Sequence, residues 1–245
     1  VETEPIRFDL RGIIENSLLE WENMVSAVVI AGGCNLRCPY CHSWRYVTGL
    51  DDLRRLDIGK LFELLERQRG WIDGVVFTGG EATMQPDLPR LIERVREYGV
   101  RTKLHTNGSR PDVLRGLLER GMLDCLSLDY KTTLNSGYFN VAGIREDGEL
   151  LERVRESFRL AAASETEREY HTTLAPRFVG MQTLRDMARD LEPGGLWILQ
   201  QLETDDCLDG NMAGTVRYTA DELDAFLTEA KTGHERVLLK KGSSA

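Results

Sequence analysis

Short apolar runs alternate along this chain with longer stretches in which apolar residues recur every three or four positions. The runs at 25–31 (VSAVVIA), 74–78 (GVVFT), 100–106 (VRTKLHT), 124–129 (DCLSLD), 168–174 (REYHTTL) and 196–202 (LWILQQL) are rich in β-branched and aromatic residues. Each is bounded by Gly, Asp or Asn, which predicts strands. The stretches between them carry helical stripes: Ile58, Leu61, Phe62 and Leu65; Leu88, Leu91, Ile92 and Val95; Val113, Leu114, Leu117 and Leu118. Further stripes are Leu150, Leu151, Val154 and Phe158, then Leu184, Met187, Ala188 and Leu191. Asp87 stands where an N-cap belongs and Gly99 where that helix stops. Pro111 and Gly121 bracket the next helix, as Pro does at a first turn and Gly just past an end. Thr219 and Glu222 form a capping-box pattern opening a last helix through Leu223, Phe226 and Leu227.

Strands alternating with helical crossovers predict a parallel sheet. Six units exceed a small doubly wound fold and fall short of an eightfold barrel. The expected fold is α/β, a partial (β/α)6 barrel of parallel strands with the cysteine-bearing loop after the first strand. No linker divides the chain, so a single domain over 1–235 is expected, with 236–245, ending KKGSSA, as a flexible tail.

The chain has 245 residues, 41% of them apolar, enough for a sizeable core. No apolar run reaches the ~20 residues of a spanning helix, and the acidic, polar start VETEPIRFDLRG does not read as a signal peptide. A soluble, cytoplasmic protein with no membrane partner is expected. The formal charge of −9 argues against a nucleic-acid partner. Five cysteines without an export signal do not suggest a disulfide framework.

Three of those cysteines, Cys34, Cys38 and Cys41, lie within AGGCNLRCPYCHSW, residues 31–44. Each predicted strand ends in polar or Gly-rich sequence: GGCNLRCPYC, GGEAT, HTNGS, LDYKT, HTTL and QQLET. In parallel α/β folds ligands bind at those carboxyl ends. A Cys-x3-Cys-x2-Cys loop, turned by Gly32 and Gly33 and stiffened by Pro39, can wrap a small object. A cubane iron–sulfur cluster takes four thiolates, so three would leave one iron open for a substrate. The alternative on these residues is a structural Cys3His zinc site using His42. Against it, the adjacent Cys41 and His42 side chains diverge.

CNLRCPYC and the later GGE resemble the two signatures of radical S-adenosylmethionine (SAM) enzymes. The resemblance extends further: SLLEWENMVSAVVIAGGCNLRCPYCHSW, FTGGEATMQPDLPRLIERVREYGVRTKLHTNGS, LDYKT, YFNVAGI, EYHTTLAP and LQQL are similar, in that order, to anaerobic ribonucleoside-triphosphate reductase activating proteins. Pyruvate formate-lyase activating enzymes are more distant relatives on the same plan.

The resemblance implies a [4Fe–4S] cluster on Cys34, Cys38 and Cys41, with SAM chelated at the fourth iron. It places Tyr40 near the adenine, Gly79, Gly80 and Glu81 by the methionine ammonium, and Thr106, Asn107 and Gly108 near the ribose and carboxylate. Asp129 and Lys131 match an Asp-x-Lys pair, with Lys131 directed at the SAM carboxylate or a substrate backbone; the rival reading is a salt-bridged rim. Gln200 and Gln201 would close the site. Departures from the group are His105 before Thr-Asn-Gly where an acid is common, His171 where an Arg is usual, Ser43 and Trp44 after Cys-His, and Glu22 and Asn23 in place of Pro-Gly. The Gly-rich 132–148 reads as a loop, either a lid or a long connection.

The implied activity is reductive cleavage of SAM to a 5′-deoxyadenosyl radical that takes hydrogen from a glycine of a partner glycyl radical enzyme. A low-potential donor of flavodoxin or ferredoxin type would supply the electron. The alternatives are a radical SAM enzyme acting on a small molecule or peptide, and a non-catalytic zinc protein.

Overall fold

In the computed structural model, which describes residues 4–241, strand β2 (Ser26–Ala31) is buried along almost its whole length. Its parallel partner β3 (Gly74–Gly79), in the register Ser26↔Gly74 to Ala31↔Gly79, is buried from Gly74 to Phe77. Near-continuous burial is what a parallel strand covered on both faces requires. The remaining strands are β1 (Leu10–Ser17), β4 (Arg101–Thr106), β5 (Cys125–Asp129), β6 (Glu167–Leu174), β7 (Leu196–Gln201) and β8 (Val237–Lys240). The helices are α1 (Trp44–Val47), α2 (Gly59–Arg67), α3 (Leu88–Arg96), α4 (Pro111–Glu119), α5 (Tyr138–Ala142), α6 (Gly148–Ala163), α7 (Met181–Asp190) and α8 (Ala220–Gly233). The expected α/β fold with parallel strands joined by helices is the fold observed.

Residue contacts divide the chain into two compact units. The first comprises the residues up to Asn35, Ser43–Thr106 and Asp112–Leu126. Here β1 is antiparallel to β2, while β2, β3 and β4 run parallel. Leu88, Leu91, Ile92 and Val95 of α3 are completely buried, as their spacing predicts. Each contributes roughly 1.5–3 kcal/mol from leaving water. Asp87 sits at the N-cap position of α3 without capping it. Its carboxylate accepts from the Arg7 backbone N–H (2.7 Å) and Nε (3.1 Å) instead. Pro89, at the helix start, leaves one N–H fewer to cap there.

The second unit comprises Leu36–His42, Asn107–Pro111 and the chain from Ser127 onward. β6, β7 and β8 run parallel. Leu150, Leu151 and Val154 of α6 and Leu184 and Met187 of α7 are buried. The capping box on α8 forms, with both Thr219 and Glu222 bonds made. Tyr130 packs against Trp197 (6.2 Å between ring centroids), and Phe158 stacks on Tyr170 (5.5 Å). The indole N–H donates to Thr172 Oγ1 (2.9 Å), whose hydroxyl donates to the Tyr130 carbonyl (2.6 Å), so this polar pair is satisfied in the core.

Four helices and strands of the described residues lie outside the predicted pattern, the short α1 (Trp44–Val47) among them. β1 precedes the six predicted strands, so the cysteine loop follows the second strand of the chain, which is the first of the predicted set. β8 occupies Val237–Lys240, within the segment expected to be a tail, of which 242–245 lie outside the described residues. α5 lies within the expected 132–148 loop and is buried through Tyr138, Phe139, Val141 and Ala142. Among the described residues, no helix is long and apolar enough to cross a membrane.

Candidate active site

In the first unit the cysteine loop leaves β2 through Gly32 and Gly33. The Gly32 N–H donates to the Asp9 carbonyl (2.8 Å) and the Gly33 N–H to the Tyr46 carbonyl (2.7 Å). Gln85 ties the same turn down: its Nε2 donates to the Gly32 carbonyl (2.8 Å), and its Oε1 accepts from the Asp9 N–H (2.8 Å).

The Gly-Gly-Glu turn after β3 packs directly on this start. The Glu81 N–H donates to the Gly33 carbonyl (2.7 Å). A Cβ on Gly80 would lie 2.0 Å from that same oxygen, so only glycine admits the approach. Gly80 therefore has a packing role against the start of the cysteine loop, and Gly79 one against Ala31 at the end of β2, besides the ligand contact implied for them by resemblance. Glu81 is 1% exposed. Its Oε1 accepts from the Thr83 N–H (3.0 Å), from the Thr83 hydroxyl and from the Thr106 hydroxyl (2.7 Å). This carboxylate clasps the turn after β3 to the end of β4, bringing two expected site residues, Glu81 and Thr106, into contact.

In the second unit, Leu36–His42 form the rest of the loop. The Cys41 N–H donates to the Cys38 carbonyl (3.0 Å), closing a tight turn around Pro39 and Tyr40. From outside, the Leu208 N–H reaches the Cys41 carbonyl (3.1 Å), the Asp209 N–H reaches Pro39 (2.9 Å), and the Arg37 N–H reaches the Ala142 carbonyl (2.8 Å). Cys38 and Tyr40 are buried, and the Tyr40 ring lies 6.0 Å from Phe178.

Lys131 stands at the electrostatic centre of this part, its ammonium 2.8 Å from Asp129 Oδ2. Burial works against its charge, but Asp129, with Cys38, Tyr40 and Tyr138 around it, carries its pKa well above the ordinary lysine range. Burial pushes the Cys38 thiol up, and the Lys131 cation opposes that rise. Burial likewise lifts the Tyr40 phenol, keeping it neutral.

The other expected residues have local partners. Asn107 is buried, and its Oδ1 accepts the Ser109 N–H (2.9 Å) in the turn after β4. His171 Nε2 lies 2.9 Å from Glu169 Oε2. Glu169 was not singled out from the sequence, although a spacing of two along a strand puts both residues on one face. Gln200 is exposed near the end of β7. His42 Nε2 lies 2.9 Å from the Glu203 carbonyl, an interaction in which the ring nitrogen is the donor. Cys207 Sγ lies 4.0 Å from the same nitrogen, a neighbour no motif announced.

All five cysteines are thiols rather than disulfides. Among the described residues, no three or more His, Cys, Asp or Glu side chains gather tightly enough to hold one metal ion. A cubane cluster makes a different demand, because its thiolates sit on separate iron atoms.

Residues 28–191 match the radical SAM superfamily. The chain belongs to that superfamily. Radical SAM enzymes use a [4Fe–4S] cluster together with S-adenosylmethionine, and the donor chemistry here fits the cluster. The loop offers three thiols, soft ligands of the kind such a cluster takes, and the Lys131 cation acts against the rise that burial imposes on the Cys38 thiol.

Among relatives, the chain is 29% identical over 200 residues to a candidate glycyl-radical enzyme activating enzyme of Methanocaldococcus jannaschii, covering 81% of each chain. It is 39% identical over 87 residues to the 7-carboxy-7-deazaguanine synthase of Hyperthermus butylicus, covering 35% of this chain and 36% of that one. Among solved structures, SuiB of Streptococcus suis bound to S-adenosylmethionine superposes with a TM-score of 0.62 at 14% identity, over 85% of this chain and 48% of that one. That likeness is one of fold.

Proposed function

We propose that this radical SAM enzyme is a glycyl-radical-enzyme activase, taking a hydrogen atom from a glycine Cα of a partner protein. The observation that carries this reading is the similarity to the M. jannaschii protein, which spans 81% of both chains rather than a shared core. When bound, the cluster and SAM supply one-electron cleavage of the sulfonium to methionine and a 5′-deoxyadenosyl radical.

The chain's own residues hold and screen that chemistry. Cys34, Cys38 and Cys41 ligate the cluster. Lys131, held charged by Asp129, balances the thiolates and faces the SAM carboxylate or the substrate backbone. Tyr40, neutral and packed by Phe178, offers a ring to the adenine. By the resemblance, Gly79, Gly80 and Glu81 belong to the methionine ammonium, Thr106 and Asn107 to the ribose and carboxylate, and His171 and Gln200 are further cofactor-binding positions. The electron comes from a low-potential flavodoxin- or ferredoxin-type donor.

The deciding experiment mixes the reconstituted protein, SAM, a low-potential reductant and a candidate glycyl radical enzyme without oxygen. A glycyl-radical doublet in the EPR spectrum of the partner is the expected result. The local 39% identity to 7-carboxy-7-deazaguanine synthase favours a second reading, a small-molecule substrate. Release of 5′-deoxyadenosine that depends on a small metabolite, with no radical on any protein, would select it.

A further inference from the structure

We propose that Gly143 is a positioning residue for the cluster, and that α5 with Gly143 forms a template against which the Arg37–Cys38 peptide is set. This rests on the thiolate ligation of the cluster and not on the identity of the substrate.

The segment that carries α5 is held by local hydrogen bonds and by its buried face. Asn135 Oδ1 accepts the Gly137 N–H (2.8 Å), and the Asn135 carbonyl accepts the Tyr138 N–H (3.0 Å), which opens the helix. The four buried side chains of α5 anchor it. Gly143 ends it in the left-handed conformation, φ 65° and ψ 36°, with its N–H on the Phe139 carbonyl. The Ile144 N–H shares that acceptor at 3.2 Å.

Two contacts then fix the cysteine loop. The Arg37 N–H donates to the Ala142 carbonyl at 2.8 Å. The Arg37 carbonyl lies where a Cβ on residue 143 would be, 1.8 Å from it, with the Arg37 carbonyl carbon at 2.5 Å. These are the atoms of the peptide bond leading into Cys38, so the backbone of the buried thiol rests on a surface with no side chain. Any residue but glycine must push that peptide away by more than about 1 Å to restore ordinary contact. A ligand constellation tolerates roughly 0.5 Å.

The test compares full-length wild type, Gly143→Ala, Gly143→Asn, Gly121→Ala and Asn135→Ala after anaerobic reconstitution with iron and sulfide. Gly121 has φ 59° with nothing within 4 Å of an added Cβ, so its variant reports left-handed strain alone. Asn tolerates a positive φ but keeps the Cβ, so Gly143→Asn isolates the contact. Bound iron and sulfide per folded molecule, the EPR signal of the reduced cluster and far-UV circular dichroism are measured.

Gly121→Ala should load like wild type. Both Gly143 variants should hold several-fold less iron per folded molecule, with a shifted EPR signal in the fraction that loads. Asn135→Ala loosens the template from its exposed end and should speed loss of iron to a chelator. Wild-type loading by Gly143→Asn would overturn the proposal. So would unchanged iron per folded molecule in both Gly143 variants, or an unchanged rate of iron loss from Asn135→Ala.

Discussion

The Lys131 ammonium lies 2.8 Å from the Asp129 carboxylate, but the two are not equally buried: the lysine side chain is 11% exposed and the aspartate 39%. Removing one partner leaves the other charge alone, and the cost depends on how well water can reach it. Asp129→Asn strands the buried cation and should cost on the order of 2–3 kcal/mol of unfolding free energy. Lys131→Met leaves a carboxylate that water can solvate, at about 1 kcal/mol. Urea denaturation of the two variants checks the order. A larger loss for Lys131→Met would mean that Asp129, not Lys131, is the residue the fold must neutralise.

The Glu81 clasp makes a similar demand through hydrogen bonds. Glu81→Ala strands the Thr83 N–H and the hydroxyls of Thr83 and Thr106, and should cost on the order of 3 kcal/mol. Glu81→Gln keeps an acceptor oxygen and should cost markedly less. A double-mutant cycle with Thr106→Val should give a coupling energy of roughly 1 kcal/mol. Coupling indistinguishable from zero would dissolve the tie between the turn after β3 and the end of β4.

The five thiols should separate cleanly by substitution. Cys34→Ser, Cys38→Ser and Cys41→Ser are each expected to lose most bound iron on anaerobic reconstitution. Cys125 is completely buried among Trp21, Val28 and Val76. Cys125→Ser should keep its iron and lose about 1–3 kcal/mol of stability through a buried hydroxyl. Cys207→Ser should load as wild type. Loss of iron from Cys207→Ser would make Cys207 a ligand and refute a three-thiol site.

His234 predicts an acid-side weakness. The ring is buried edge-on against Tyr170 and Trp197, and burial lowers its pKa below the ordinary histidine value. The folded state thus disfavours the protonated form relative to the unfolded chain. Its contribution is complete above the unfolded value of about 6.5 and is lost as pH falls toward and through the lower folded value. Unfolding free energies measured from neutral pH downward should drop more steeply for wild type than for His234→Phe. Parallel curves would show that His234 does not set the slope.

The sequence by itself determined what depends on local spacing. Leu88, Leu91, Ile92 and Val95 face the core because helical periodicity allows nothing else, and Thr219 and Glu222 cap α8 because they lie one helical turn apart. The cysteine spacing and Gly-Gly-Glu pointed to the superfamily for the same reason: the chemistry is written in a few adjacent residues. β1 was illegible because Arg11, Gly12, Glu15 and Asn16 break its apolar run, and pairing with β2 is what makes it a strand. Tertiary structure alone decided that Asp87 turns from its helix to Arg7, that Gly80 makes room for the Gly33 carbonyl, and that Gly143 makes room for Arg37. Each joins residues dozens of positions apart, and only folding, which sets distant backbone against backbone, tells a glycine that must stay bare from one that merely turns.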